Sequence, residues 1–169
     1  MKEVGKYLIG VTEGIIELSG HKNSLSDYLE SYQFLFLPTF DSPCLVVFEK
    51  YHNGIDLSLF IIGESNSRKF SFQDIVELSQ ERRVAFLKLI GEIQLLNLES
   101  FIHENTRDGI IIRFDFRNNN KHHLFFTDSV LDLNLSNNYS WIKSIVDIAS
   151  FSFTDSDVCF YFQRLKTYF

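Results

Sequence analysis

The sequence is poor in residues that interrupt or cross-link a fold. Its 169 residues include only two prolines and two cysteines, and no stretch approaches 18 consecutive apolar residues. No membrane span is therefore predicted, and the N-terminal segment lacks the apolar core of a secretion leader. Cys44 and Cys159 have apolar neighbours and no CxxC spacing, which predicts two reduced core thiols. We expect a cytosolic protein.

Motifs for nucleotide binding and nucleophilic catalysis are also missing. The eight glycines never form GxGxxG or GxxxxGK[ST], and no serine occupies a GxSxG motif. Neither cysteine has a nearby histidine or asparagine in a familiar catalytic context. We therefore predict no cofactor, and binding ranks above enzymatic activity among the possible functions.

Charge and composition favour a globular, protein-binding chain. The net charge is −6, from 22 acidic and 16 basic residues that are spread along the sequence. An acidic surface repels nucleic-acid phosphates and attracts basic protein surfaces. The apolar share of 45% and the length suit one domain over residues 1–169, in which most of the 18 phenylalanines fill the core.

The first half of the chain contains the clearest local pattern. The run Leu45–His52, the dipeptide Asn53-Gly54 and the run Ile55–Ile62 predict a β-hairpin with a type I′ turn, because Asn-Gly accepts positive φ. The segment Pro38–Pro43 predicts a turn. Further upstream, two short strands at 7–11 and 14–18 and a short helix at 24–31 are expected.

Helical patterns dominate two later regions. Residues 71–93 predict two helices that begin at Ser71, with Asp74 three positions later, and bend near Ser79; the second helix is expected to end near Gly91. The apolar spacing over 141–149 predicts another helix. Residues 155–169 suit either a strand or a helix, and Asp155 as a possible cap favours the helix.

Strands are predicted between these helical regions. A meander is expected from strands at 95–103, 109–116 and 122–127, with an asparagine-rich turn at 117–121. The middle strand alternates apolar residues with Arg113, Asp115 and Arg117, which predicts one buried and one solvated face. The fold class is therefore α+β, with a mostly antiparallel sheet and helices packed on it.

A metal-dependent enzyme is one alternative, based on histidines near this meander. Adjacent strand residues face opposite ways, so only one of His122 and His123 can join Asp115 and His103 around an ion. Surface histidines in a polar hairpin are the simpler interpretation, and we predict no metal site.

The segment Asp108-Gly-Ile-Ile-Ile-Arg-Phe-Asp-Phe-Arg-Asn-Asn-Asn-Lys-His-His-Leu-Phe-Phe-Thr-Asp128, followed by the helix at 141–149, resembles bacterial immunity proteins of polymorphic antibacterial toxin systems. The resemblance implies a cytosolic inhibitor that binds its toxin directly. An acidic surface would then engage a basic toxin domain, and exposed carboxylates at Glu77, Glu81, Glu104 and Asp108 are the candidate contacts. A secretion chaperone or adaptor, which would form a homodimer, is the other binding alternative.

Overall fold

The computed structural model describes residues 2–19, 28–65, 68–95, 109–118, 121–128 and 136–169. The described strands are β1 (Glu30–Pro38), β2 (Cys44–Lys50), β3 (Ile55–Ser65), β4 (Arg68–Glu77), β5 (Ile110–Asn118) and β6 (His122–Asp128). The described helices are α1 (Lys2–Ser19), α2 (Gln80–Leu95), α3 (Ser136–Ser150) and α4 (Ser156–Leu165), which a short 3-10 turn, Lys166–Tyr168, follows.

The strands form one antiparallel sheet in the order β4-β3-β2-β1-β5-β6. The first four strands make a meander, after which the chain passes through α2 and places β5 beside β1. The predicted α+β fold with a mostly antiparallel sheet is confirmed. The strand β5 does lie between two others, but they are β1 and β6, whereas the predicted neighbours were β6 and a strand at 95–103. Leu95 is the last residue of α2, and residues 96–103 lie outside the described residues.

The main core lies between one sheet face and α2, α3 and α4. Alternate residues of the central strands point into it, and their rings pack closely. The ring centroid of Phe114 lies 4.9 Å from those of both Phe34 and Phe125. Trp141 of α3 packs edge-to-face against Phe125, with 5.9 Å between their ring centroids. Offset and edge-to-face ring contacts of this kind add to the free energy gained from apolar burial. Many of the phenylalanines therefore serve the core, as predicted.

The opposite face of the sheet carries a smaller core under α1. Ile16 packs there on a cluster formed by Leu35, Leu45, Val47 and Phe60. The two strands predicted at 7–11 and 14–18 are wrong, since both ranges belong to α1. The buried residues Thr12 and Ile16 are four positions apart, which is the spacing of one helix face and not the two-residue alternation of a strand.

The region 71–93 also differs from the prediction in its first part. Residues up to Glu77 form β4, in which Ile75 is exposed while Val76 packs against the main core. The predicted bend is instead the junction of β4 and α2, where the Ser79 hydroxyl accepts a hydrogen bond from the Arg82 backbone N–H at 3.4 Å. Gly91 does not end α2, which continues to Leu95.

Both predicted hairpins are confirmed, with a different turn in the first. The Tyr51 backbone N–H donates to the Gly54 carbonyl at 2.9 Å, so His52 and Asn53 form the tip of the β2–β3 turn. Gly54 is not at positive φ, so the turn is shifted by one residue from the predicted Asn-Gly turn. The predicted turn at 38–43 joins β1 to β2, while β1 itself was not predicted.

The C-terminal prediction is settled by a helix cap. The Asp155 carboxylate accepts hydrogen bonds from the N–H groups of Asp157 and Val158, at 2.9 and 3.1 Å, so α4 forms where a strand was the alternative. The helix predicted at 141–149 is confirmed within α3. Of the short helix predicted at 24–31, residues 24–27 lie outside the described residues, and the last two belong to β1.

Both cysteines are free thiols, as predicted, but they differ in burial. Cys44 is fully buried, and this burial raises the pKa of its thiol, while Cys159 is half-buried.

Candidate functional site

One row of directly paired positions crosses the whole sheet on the face that carries α1. From β4 to β6, the row consists of Glu77, Asp56, Glu49, Ser31, Arg117 and His122. Directly paired positions bring Cβ atoms to about 4.5–5.5 Å of each other. The row therefore joins three neighbouring carboxylates at one end to two nitrogen-rich side chains at the other.

The nitrogen-rich end is organised around Asp115, one row further into the sheet. One oxygen of its carboxylate accepts from Arg117 Nε at 2.9 Å and lies 3.0 Å from His122 Nε2. The other oxygen accepts from Arg117 at 2.8 Å and from Arg113 at 3.1 Å. Arg113 also donates to the Thr12 hydroxyl of α1 at 2.9 Å. We call Arg113, Asp115, Arg117 and His122 the arginine cluster.

The arginine cluster is a buried ion-pair network. Asp115 is 0% exposed and Arg113 is 3% exposed, while His122 reaches the surface. Burial alone raises the pKa of Asp115, but the hydrogen bond and charge of Arg117, with the charges of Arg113 and His122, lower it below its ordinary value. Asp115 is thus held ionised, and it raises the pKa of Arg117 in return.

This burial corrects the prediction of a solvated face on β5. Phe114 and Phe116 do point away from the arginines into the main core, as predicted. The polar side of the strand is nevertheless covered, because α1 lies over Arg113 and contributes Thr12 to its hydrogen bonding. The alternation along one strand does not reveal a covering element that lies about a hundred residues away in the sequence.

The residues of the alternative metal site, which the sequence analysis weighed and did not predict, are brought together only in part. Asp115 and His122 are in contact, but both carboxylate oxygens already accept from cationic side chains. His123 lies on the opposite sheet face, with its ring 5.7 Å from that of Phe125. His103 lies outside the described residues. Within the described part of the chain, no group of three or more His, Cys, Asp or Glu residues is arranged to hold a metal ion.

At the acidic end of the row, a carboxyl pKa is raised, whereas that of Asp115 in the arginine cluster is lowered. Burial, followed by the charge of Glu77, raises the pKa of Asp56. Glu77 pairs with Arg83 of α2 at 3.2 Å, and Glu49 accepts from the Tyr51 hydroxyl at 3.3 Å. We call Glu49, Asp56 and Glu77 the acidic row. Like charges on directly opposed strand positions are destabilising, so this row costs folding stability.

Two of the four predicted partner-binding carboxylates lie in or beside the acidic row. Glu77 is exposed at the end of β4, and Glu81 is exposed in the first turn of α2. They do not share one helix face, because the chain changes from strand to helix between them. Glu104 and Asp108 lie outside the described residues.

Glu49 and Asp56 were missed by the sequence analysis. A turn centred on Asn53-Gly54, as predicted, would place Glu49 opposite Ser58. The observed turn is centred on His52 and Asn53, and this shift of one residue pairs Glu49 with Asp56. Adding Glu77 required the register of β3 against β4, and β4 was predicted as a helix.

Comparison with protein-family models and with curated proteins finds no match for this chain. Among the described helices, none combines the length and the apolar character needed to cross a bilayer.

Proposed function

We propose that this chain is a protein-binding inhibitor of the immunity type, which neutralises an antibacterial toxin in the cytosol by binding its basic domain. The acidic row is the observation that carries the proposal. It places three carboxylates on adjacent strands at one end of the sheet, in a chain whose net charge is already −6.

The physical argument is that the acidic row is unfavourable in the free protein. Asp56 faces a carboxylate on each neighbouring strand, and its raised pKa reflects burial and the nearby Glu77. Local arrangements that reduce stability are expected at functional sites. Lysine or arginine side chains of a partner would offset the repulsion between these carboxylates, and this relief would add to the free energy of binding.

An apolar contact is available beside the acidic row. Ile75 is 57% exposed, and it lies two residues before Glu77 on the same face of β4. Within the described sheet, β4 is an edge strand, so a partner can approach it from the side as well as from above. An exposed aliphatic side chain beside the carboxylates of Glu77 and Asp56 fits a basic surface that also has an apolar part.

Co-expression with a toxin tests the proposal. The toxin domain encoded beside this gene would be produced in a laboratory bacterium with and without this chain, and growth would be followed. We expect restored growth and a one-to-one complex by size-exclusion chromatography with light scattering, weakening as salt rises. Growth arrest despite the chain, with no complex formed, would overturn the proposal.

Matched charge variants locate the surface. Glu49→Gln combined with Asp56→Asn is expected to weaken toxin binding at least tenfold. Glu92→Gln combined with Asp157→Asn removes the same charge from exposed positions on α2 and α4, and it should leave binding unchanged. Equal binding by both double variants would contradict the assignment to the acidic row.

A further inference from the structure

Arg83 is a cationic side chain that the fold itself places at the end of the acidic row. It lies in the first turn of α2, where its backbone N–H donates to the Ser79 carbonyl at 2.9 Å. Its guanidinium reaches back to the β2–β3 turn. There Nη1 donates to the Asn53 carbonyl at 2.9 Å, and Nη2 donates to Glu77 Oε1 at 3.2 Å. The start of α2 thus holds a positive charge against the carboxylate that β4 contributes to the row.

The ion pair between Arg83 and Glu77 is weak by its geometry. The two side chains are 30% and 67% exposed, and ion pairs that water can reach contribute little to stability. The hydrogen bond uses one carboxylate oxygen, whereas the strongest guanidinium–carboxylate pairs use both. The Asn53 carbonyl also holds the guanidinium independently of Glu77. A partner's cation can therefore take over Glu77 at little cost to the fold.

The surroundings of the ion pair also point away from a purely structural role. Among the described residues, the buried Nε of Arg83 has no hydrogen-bond acceptor, and an unsatisfied buried donor costs folding stability. The chain nevertheless leaves room for the pair. A Cβ at Gly54 would lie 3.0 Å from Glu77 Oε1 and 3.6 Å from Arg83 Nη2. The pair therefore lies directly against the end of the β2–β3 turn.

We propose that Arg83 is a built-in competitor of the partner's cation, which occupies Glu77 in the free protein and must be outcompeted there when the acidic row is bound. This inference rests on the proposed function, whose regulation it describes. Asp56 forms no ion pair within the described part of the chain, so it can receive a cation directly. Glu77 becomes available only to a partner with enough positive charge to replace Arg83, and weakly basic proteins are thereby rejected.

A competitor and a structural tie have opposite consequences. If Arg83 competes, removing its charge frees the Glu77 carboxylate, and cations bind the row more tightly. Glu77 then contributes to binding only when Arg83 is absent. If Arg83 merely fastens α2 to the β2–β3 turn, its removal loosens the end of the row, and binding weakens.

A cycle of single and double variants tests the proposal with a defined probe. The probe is a fluorescent oligo-arginine peptide, and its binding is followed by fluorescence anisotropy at low salt. Arg83→Gln is expected to bind it about three- to fivefold more tightly, which is the size of effect expected for an exposed ion pair. Glu77→Gln should change binding by less than about twofold in the original chain, and it should cancel the gain in the Arg83→Gln chain.

Two further variants separate the charge of Arg83 from its shape and from the net charge of the chain. Arg83→Lys keeps the positive charge, so it should bind the peptide as the original chain does. Lys88→Gln removes the same charge from an exposed position of α2 that pairs with Glu92. Its effect on peptide binding should be smaller than that of Arg83→Gln, and it should be the same with and without Glu77→Gln.

Three results would overturn the proposal. They are equal or absent peptide binding by the original chain and Arg83→Gln, weaker binding by Arg83→Gln, and an equal effect of Glu77→Gln in both backgrounds. A toxin that binds none of these chains would instead contradict the proposed function. The peptide cycle decides the role of Arg83 separately, so the two failures are distinguishable.

Discussion

Asp115 is the residue on which the buried charges depend. Replacing it with asparagine leaves Arg113 and Arg117 without their counter-ion, and breaking a buried pair in this way typically costs about 3–5 kcal/mol. Asp115→Asn should therefore lower the free energy of unfolding by a few kcal/mol at neutral pH, measured by urea denaturation. Asp74→Asn, on an exposed residue of β4, should change it by less than about 0.5 kcal/mol.

The pH dependence of this effect has a definite sign. The pKa of Asp115 is lowered in the folded state, so its contribution is present above the unfolded pKa of about 3.9 and is lost as the pH falls towards the folded value. The unfolding free energies of the original chain and of Asp115→Asn should therefore converge below about pH 4. A constant difference across the pH range would show that the carboxylate charge is not the cause.

Asp56 should behave in the opposite way. Its pKa is raised in the folded state, so the ionised carboxylate disfavours folding above that pKa and has no such effect once it is protonated. Asp56→Asn should raise the free energy of unfolding at neutral pH by a few tenths of a kcal/mol, an amount reduced by solvent screening. The gain should vanish below about pH 4. A lower free energy of unfolding for Asp56→Asn at neutral pH would contradict the claim that the acidic row costs folding stability.

At the scale of single elements, helix α2 contains a glycine that lowers its helix propensity, although no neighbouring atom requires a residue without a side chain there. Gly91 lies inside the helix, and a Cβ there would meet nothing within 4 Å. Gly91→Ala should raise the free energy of unfolding by about 1 kcal/mol through helix propensity. Gly54→Ala is the matched control, because its Cβ would lie 3.0 Å from the Glu77 carboxylate and should bring no such gain. Thermal or urea unfolding would measure both.

Elements with local determinants were predicted correctly from the sequence. Polar links between β-rich runs located both hairpins, although the turn at Asn53-Gly54 was placed one residue too late, and Asp155 as a cap located α4. Helix α1 and strand β4 were assigned wrongly because their apolar residues suit both periodicities over short windows. Their conformation is set by what they pack against, and that information lies in distant parts of the chain.

The same distinction applies to the candidate site. The alternation along β5 was enough to place Arg113, Asp115 and Arg117 on one face. It was not enough to show that α1 covers that face, or that β1 separates the acidic row from the arginine cluster. Both facts depend on pairings between distant segments, which no local pattern encodes.

At the scale of the whole molecule, the two faces of the sheet are stabilised unequally. One face is covered by α2, α3 and α4 over an extensive aromatic core, while the other is covered by α1 over a few apolar residues and the arginine cluster. Regions with few buried apolar contacts open at lower free energy than the global unfolding reaction. The face covered by α1 should therefore be the first to open.

Native-state hydrogen exchange tests this order. The amides of α1 should exchange through local opening, while those of β1, paired on both sides at the centre of the sheet, should require global unfolding. Ile16→Ala should lower protection of α1 with a much smaller effect on β1, because it removes the main apolar contact of that helix. Ile145→Ala, which removes a side chain that α3 contributes to the main core, should lower the protection of β1 and α1 together. Equal effects of the two variants on both elements would mean that α1 and the sheet unfold as one unit, so that the arginine cluster stays closed until the whole fold is lost.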